Sequence, residues 1–200
     1  MWYKLFVPFY ERAAKKMCRD CQDFIKKKSK ILDLGCGSAI VSKEFKDFFK
    51  AEIFGVDIED KRVYPIPFKV IDGRLLPFPL NSFDVVLINY VLHHSEDPIS
   101  LLSQAKEIAP KIIIYEDIPE GFFSKLFCKA HSLTFSFFFQ KKKQKTNFKS
   151  IREWEKIFED LGLKLIYKKL FRELSIYPIK KVLFVLKPDP TLKFGHIVHW

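Results

Sequence analysis

The segment ILDLGCGSAI (31–40) sets Asp33 two residues before Gly35 and closes its turn with Gly37, one residue beyond Cys36. Glycines in a turn directly after an apolar run leave backbone bare for a ligand to approach. Asp57 ends the next apolar run, 20 positions after Gly37. At that spacing a carboxylate accepts hydrogen bonds from both hydroxyls of a ribose. The dinucleotide fingerprint requires Gly or Ala at its last position, and Ile40 stands there, so close packing against a pyrophosphate is disfavoured. Asp33 suits an ammonium group better than a phosphate. These groups fit a cofactor with a cationic amino-acid end, a ribose and an adenine.

Other reactive side chains lie further along. His93, His94, Glu116 and Asp117 follow apolar runs and are candidate proton acceptors. A histidine that packs or caps the helix after SEDP, and acids that orient a cationic substrate, account for the same residues without base chemistry. Cys18-x-x-Cys21 and Cys128-x-x-His131 have the spacing of two zinc half-sites. Helical spacing alone also puts Cys18 and Cys21 on one face, so no metal is assigned and the thiols read as core or surface groups.

These groups need a frame. Short runs apolar on both faces occur at 30–34, 52–56, 68–71, 83–88 and 111–115. Strands of that kind belong to parallel sheets covered on both sides. Helical patterns over 39–50 and 98–109 alternate with them, after an opening helix over 8–28, which gives a doubly wound α/β order. A helix over 150–162 has Ser150 as N-cap, Glu153 at the capping-box position and Gly162 as its stop. The runs 163–170 and 180–187 form a closing antiparallel pair. The fold expected is therefore a Rossmann-like, doubly wound, seven-stranded sheet, mostly parallel with the last strand antiparallel. One domain over 1–200 divides into a helical cap (1–28), a cofactor-binding half (29–118), a lid or insertion (119–149), the C-terminal helix and strand pair (150–187) and an unassigned tail (188–200).

In motif order the chain resembles class I S-adenosylmethionine-dependent methyltransferases, of the type-11 group. LDLGCGSA matches the first motif, GVDI the acid after the second strand, and DGRLLPFPLNSFDVVLINYVLHHSEDP (72–98) the third and fourth motifs. The resemblance covers about residues 28 to 116, and FKSIREWEKIFEDLGLKLI matches the later helix and strand. It implies S-adenosylmethionine as cofactor, held by Asp33, Gly35, Cys36, Gly37, Asp57, Ile58, Asp72, Gly73, Asn89 and Tyr90, with Asp72 on the adenine amino group. His93, His94 and Glu116 are then the catalytic candidates. The turn's usual third glycine is Ala39, harmless where its φ stays negative.

The acceptor is read by elimination. NYVL replaces the Asn/Asp-Pro-Pro-Tyr turn of amino-methylating nucleic-acid and glutamine enzymes, and no Pro-Cys pair follows a strand. A small-molecule or lipid-like acceptor is favoured. The lid region carries Phe122, Phe123, Phe127, Phe135, Phe137, Phe138 and Phe139, then Lys141, Lys142, Lys143 and Lys145. Such a segment closes the core, caps a hydrophobic acceptor, rests on a membrane surface or clamps single-stranded RNA. QKKKQK (140–145) reads as a solvated loop.

The whole chain carries a formal charge of +11, which favours anionic partners such as RNA, phospholipid or acidic metabolites. The alternatives to a small or lipid-like acceptor are RNA as substrate and a non-catalytic, cofactor-binding partner subunit. The greasiest stretch (121–139) is broken by Lys125, Lys129 and His131, so no transmembrane span is expected. Four cysteines without disulfide-framework density, and no visible signal peptide, suit a cytoplasmic protein.

Overall fold

The computed structural model describes residues 7–119, 124, 147–171 and 180–189. Its elements are α1 (Val7–Asp20), β1 (Lys30–Leu34), α2 (Ile40–Phe49), β2 (Glu52–Asp57), β3 (Phe68–Val70), β4 (Val85–Asn89), α3 (Pro98–Ile108), β5 (Ile112–Ile118), α4 (Ile151–Asp160), β6 (Leu163–Phe171) and β7 (Lys180–Pro188). They build one seven-stranded sheet in the order β3-β2-β1-β4-β5-β7-β6. β1 to β5 pair in parallel, and β7 runs antiparallel between β5 and β6. The chain reverses its direction of strand addition between β1 and β4, where ligands of open α/β sheets bind at the carboxyl ends.

Side chains alternate across each strand, and both faces are buried. Leu32, Val86, Ile88, Ile112 and Ile114 pack with α3 and α4 through Leu102, Ala105, Trp154 and Phe158. Ile31, Leu87, Ile113 and Tyr115 pack on the other side with Met17, Cys18, Phe45 and Phe49 of α1 and α2. That double burial explains why the central strands β1, β4, β5 and β7 are apolar at most positions, whereas β3 and β6 at the sheet edges are largely exposed. Among the described residues no helix is long and apolar enough to cross a membrane.

Three boundaries differ from the sequence pattern. The first helix stops at Asp20, because Cys21 and Ile25 must both tuck into the sheet face, which a turn through residues 21–24 allows. β5 runs on to Ile118, because β7 continues beside it and pairs Glu116 with Val182 and Asp117 with Lys181. Ala39 does not keep a negative φ. It takes φ 60° at the start of α2, buried and with no side-chain cap. A left-handed alanine costs about 1 kcal/mol. α4 opens on the expected capping box, Ser150 and Glu153 satisfying each other's backbone N–H.

Candidate functional site

The turn after β1 is tied to β2 through three bonds. The N–H groups of Gly35 and Cys36 both donate to the Val56 carbonyl, at 2.8 and 3.1 Å. Gly37 N–H donates to Asp57 Oδ2 at 2.8 Å, and Ile58 N–H donates to Asp57 Oδ1 at 2.7 Å. Asp57 thus anchors the glycine turn as well as standing at its rim. Gly35 sits at φ 77°, and a Cβ there would lie 2.3 Å from Val91 Cγ2, so the turn after β4 can close onto it only in the absence of a side chain. Gly37, at φ 50°, has open space where its Cβ would project.

Asp33 lies within the sheet layer at 1% exposure, and accepts from Ser42 Oγ of α2 at 2.5 Å. Burial, first of all, pushes its carboxyl up to about 7, with the Asp57 charge adding to the rise and Ser42 and Asn89 opposing it. Its Oδ1 and the Asn89 side-chain amide face each other without a well-formed hydrogen bond, near enough only for the amide to temper the rise. Asp33 pairs across the sheet with Leu87, and strand alternation puts Asn89 on the same face, two residues further along β4. Buried acceptors left without partners are costly. A cationic, hydrogen-bonding ligand end at the β1–β4 junction would satisfy them, which fits an amino-acid moiety.

The rim towards β3 has a different character. Ile71 N–H bonds the Asp57 carbonyl at 2.9 Å, setting Asp72 just beyond it. Asp72 is exposed, and Oδ1 accepts the Arg74 and Leu75 N–H groups at 2.9 and 3.2 Å, which hold its carboxyl below the usual range. Ile58, 50% exposed, reaches across to Gly73: a Cβ on that glycine would be 3.1 Å from Ile58 Cγ2. An apolar surface beside a free carboxylate oxygen suits a purine edge.

Cys36 was a candidate cofactor contact. Its thiol points away from the turn's open side, buried against Gly55 and Ile66, so only its backbone is at the turn. Desolvation raises the thiol far above its ordinary pKa. Tyr90 takes φ 58° and donates its N–H to the Tyr115 carbonyl at 2.8 Å. A non-glycine residue held there stores local strain of the kind found at ligand sites.

The three catalytic candidates separate. Glu116 is fully buried within β5, and both its oxygens are in use. Oε1 accepts Leu92 N–H at 2.9 Å and Oε2 meets His93 Nδ1 at 2.5 Å. His93 is 4% exposed, lies in the short helical turn Leu92–His94, and stacks on Phe148 at 4.6 Å. Burial pulls its pKa down, but the Glu116 charge and hydrogen bond, with Asp117, outweigh it and the net shift is upward. His94 is half-buried and packs on His93, ring centroids 4.1 Å apart. Asp97, not a histidine, caps α3 through Ser100 N–H at 2.9 Å.

Sequence reasoning missed Ser42 as the partner of Asp33, and Asn147 and Phe148 as the groups that dock on His93. Asn147 N–H donates to the His93 carbonyl at 2.7 Å. Cys18 on the inner side of α1 and Cys21 just after it are buried, Cys21 Sγ 3.3 Å from Tyr115 Oη, and burial raises both thiols to about 12. Cys128 and His131 lie outside the described residues, as do the phenylalanines and lysines of 121–145. Among the described residues no three metal-ligating side chains come together. An open recess of about 450 Å³, between Asn81, Lys106, Glu107 and Lys187, lies at the opposite ends of the strands and contains none of the candidate groups.

Residues 9–168 match the family described as a methyltransferase domain. An uncharacterised methyltransferase of Schizosaccharomyces pombe is 27% identical over 104 residues, covering 42% of this chain. The match spans 37% of that relative's length. Among solved structures, a chain of the complex between the Haloferax volcanii Trm112 methyltransferase activator and a methyltransferase has a TM-score of 0.66 at 16% identity, over 94% of this chain and 97% of that one. Magnesium protoporphyrin IX methyltransferase from Synechocystis, solved with bound S-adenosylhomocysteine, has a TM-score of 0.64 at 16% identity, over 89% of this chain and 83% of that one.

Proposed function

We propose that this chain, which belongs to the methyltransferase domain family, is an S-adenosylmethionine-dependent methyltransferase whose acceptor is a small or lipid-like molecule. The observation that carries the site assignment is the pair of unsatisfied polar groups, Asp33 Oδ1 and the Asn89 amide, buried side by side at the β1–β4 junction. They would receive the amino-acid end of the cofactor. Asp57 would take the ribose hydroxyls, with Gly35, Cys36 and Gly37 supplying bare backbone. Ile58, Asp72 and Gly73 would border the adenine, and Tyr90 would close the side towards the acceptor.

The cofactor supplies an activated methyl group on a sulfonium. The protein's share is to hold donor and acceptor in line and keep water out. Of the candidate bases, His94 and Asp117 are half-buried where His93 and Glu116 are fully buried, and His94 would take a proton from an acceptor that must lose one. His93 and Glu116 are committed to each other and would hold the turn that carries Asn89 and Tyr90. The single-domain division given by the sequence is retained as our reading of the chain. Three free buried cysteines among the described residues support a reducing, cytoplasmic setting.

The test is release of S-adenosylhomocysteine by the purified chain against hydrophobic small molecules, lipid extract and RNA in parallel. Turnover with the first or second class supports the reading. Turnover with RNA alone, falling steeply with salt, would replace it with the RNA reading that the +11 charge favours. Cofactor binding without turnover on any class would favour a role as partner subunit.

A further inference from the structure

α1 is amphipathic in an unusual way. Its inner side buries Ala14, Met17 and Cys18, while Phe9 and Tyr10 stand 72% and 55% exposed at its first turn. The two rings touch only edge-on, at 6.0 Å. Arg12, Lys15, Lys16 and Arg19 are exposed along the rest of the helix, and Lys26, Lys27 and Lys28 continue the basic strip into the next turn. Arg12, Lys15 and Arg19 make no ion pair among the described residues, whereas the acids close by are engaged, Glu11 with Tyr64 and Asp20 with Lys169.

The aromatic end of this helix is fixed to the cofactor edge of the sheet. Tyr64 Oη donates to Glu11 Oε1 at 2.5 Å, and the neighbouring Val63 N–H donates to the Ser38 carbonyl of the glycine turn at 2.9 Å. The first turn of α1 is thereby held near the cofactor edge of the sheet.

We infer that α1 docks on an anionic phospholipid surface through the side that carries Phe9, Arg12, Lys15, Lys16 and Arg19, Phe9 entering the headgroup boundary and the basic strip resting on the lipid phosphates. Charge complementarity and helix shape select this partner. A convex helix with an aromatic tip and a basic flank matches a planar interface. Single-stranded RNA instead calls for a charged groove with flat stacking platforms, and two edge-on rings on a convex face offer neither. The inference rests on the lipid-like arm of the proposed acceptor, and would bring such an acceptor to the rim without lifting it through water.

The experiment is flotation of the full chain, without cofactor, with vesicles of phosphatidylcholine alone or mixed with phosphatidylglycerol. Binding is expected to the mixed vesicles only and to weaken with salt. The pair Lys15→Glu and Arg19→Glu should lower it by about tenfold or more. Phe9→Ala should lower it at high salt as well, where the charge contribution is screened, and Tyr10→Ala, in line with the inner Ala14–Met17 stripe, should not. Circular dichroism of each variant confirms that the fold is retained. Wild-type binding that the charge reversals and Phe9→Ala leave unchanged, binding to neutral vesicles equally, or RNA displacing lipid from the same face overturns the inference. Docking as described, with S-adenosylhomocysteine released only on soluble acceptors, sustains the docking surface and overturns the lipid-like acceptor instead.

Discussion

Replacing Glu116 with glutamine keeps its size and the acceptor for Leu92 N–H, and removes the charge that faces His93. In the native protein His93 has its pKa raised, since the Glu116 charge and hydrogen bond outweigh burial. A base with a raised folded pKa stabilises the fold fully below its unfolded value of about 6.5, and the contribution is lost as pH rises through the folded pKa. In Glu116→Gln burial is left dominant and the sign reverses: the folded pKa falls below 6.5, and stability is lost as pH drops through that value. A charge-assisted hydrogen bond is worth about 1.5–3 kcal/mol and a neutral one about 1. The variant should therefore be less stable by up to about 2 kcal/mol at pH 5.5 and by about 1 kcal/mol or less at pH 8.5. In a chain of this size those losses lower Tm by roughly 4–8 °C and 2–4 °C at most. Urea denaturation of both proteins across that range, followed by circular dichroism, measures the difference. Asp33 titrates in the same window but is common to both proteins and drops out of the comparison. A stability gap that stays constant with pH, or widens towards alkaline pH, would refute the assignment of a charged His93–Glu116 pair.

Other expectations follow from the same geometry. Asp33, raised to about 7, must give up its proton to meet a cationic ligand, so cofactor affinity should climb as pH rises through 7 and Asp33→Asn should remove that climb; calorimetry in buffers of different ionisation enthalpy would detect the released proton, and equal proton release by the variant would contradict it. Asp57→Ala deletes the acceptor for two ribose hydroxyls and loosens the Gly37 turn, costing about 3 kcal/mol of cofactor binding, or roughly hundredfold in Kd by titration. Asp57→Asn should lose less, because one oxygen remains, and identical losses would count against two-oxygen recognition. Gly35→Ala forces a Cβ into Val91 at a left-handed φ and should destabilise the fold by about 2–3 kcal/mol, read as a shifted urea midpoint.

Much of this arrangement was legible before any coordinates. Strands buried on both faces leave an unmistakable apolar signature, and the Asp33–Gly35–Gly37 and Asp57 spacing marked the carboxyl edge of β1 and β2. What escaped were effects of distant chain. The extension of β5 through Glu116 and Asp117 depends on β7, whose pairing residues lie more than sixty positions away. The docking of Phe148 on His93 is equally non-local, so nothing around LHHSEDP announces that one histidine will be buried and paired. Ala39 looked like a harmless replacement because φ is invisible in a sequence. The second task of Asp57, half-buried and anchoring the glycine turn through Gly37 N–H, is likewise absent from the spacing.

The place of β7 has an implication for biosynthesis. This segment emerges from the ribosome after β6, yet it lies between β5 and β6, pairing with both. Until residues 180–188 are released, the nascent chain carries Ile112, Ile114 and their neighbours as a bare, sticky ribbon along β5. Ribosome stalling or proteolytic clipping just upstream of Lys180 would therefore yield an aggregating product, although every group around the glycine turn had already been made.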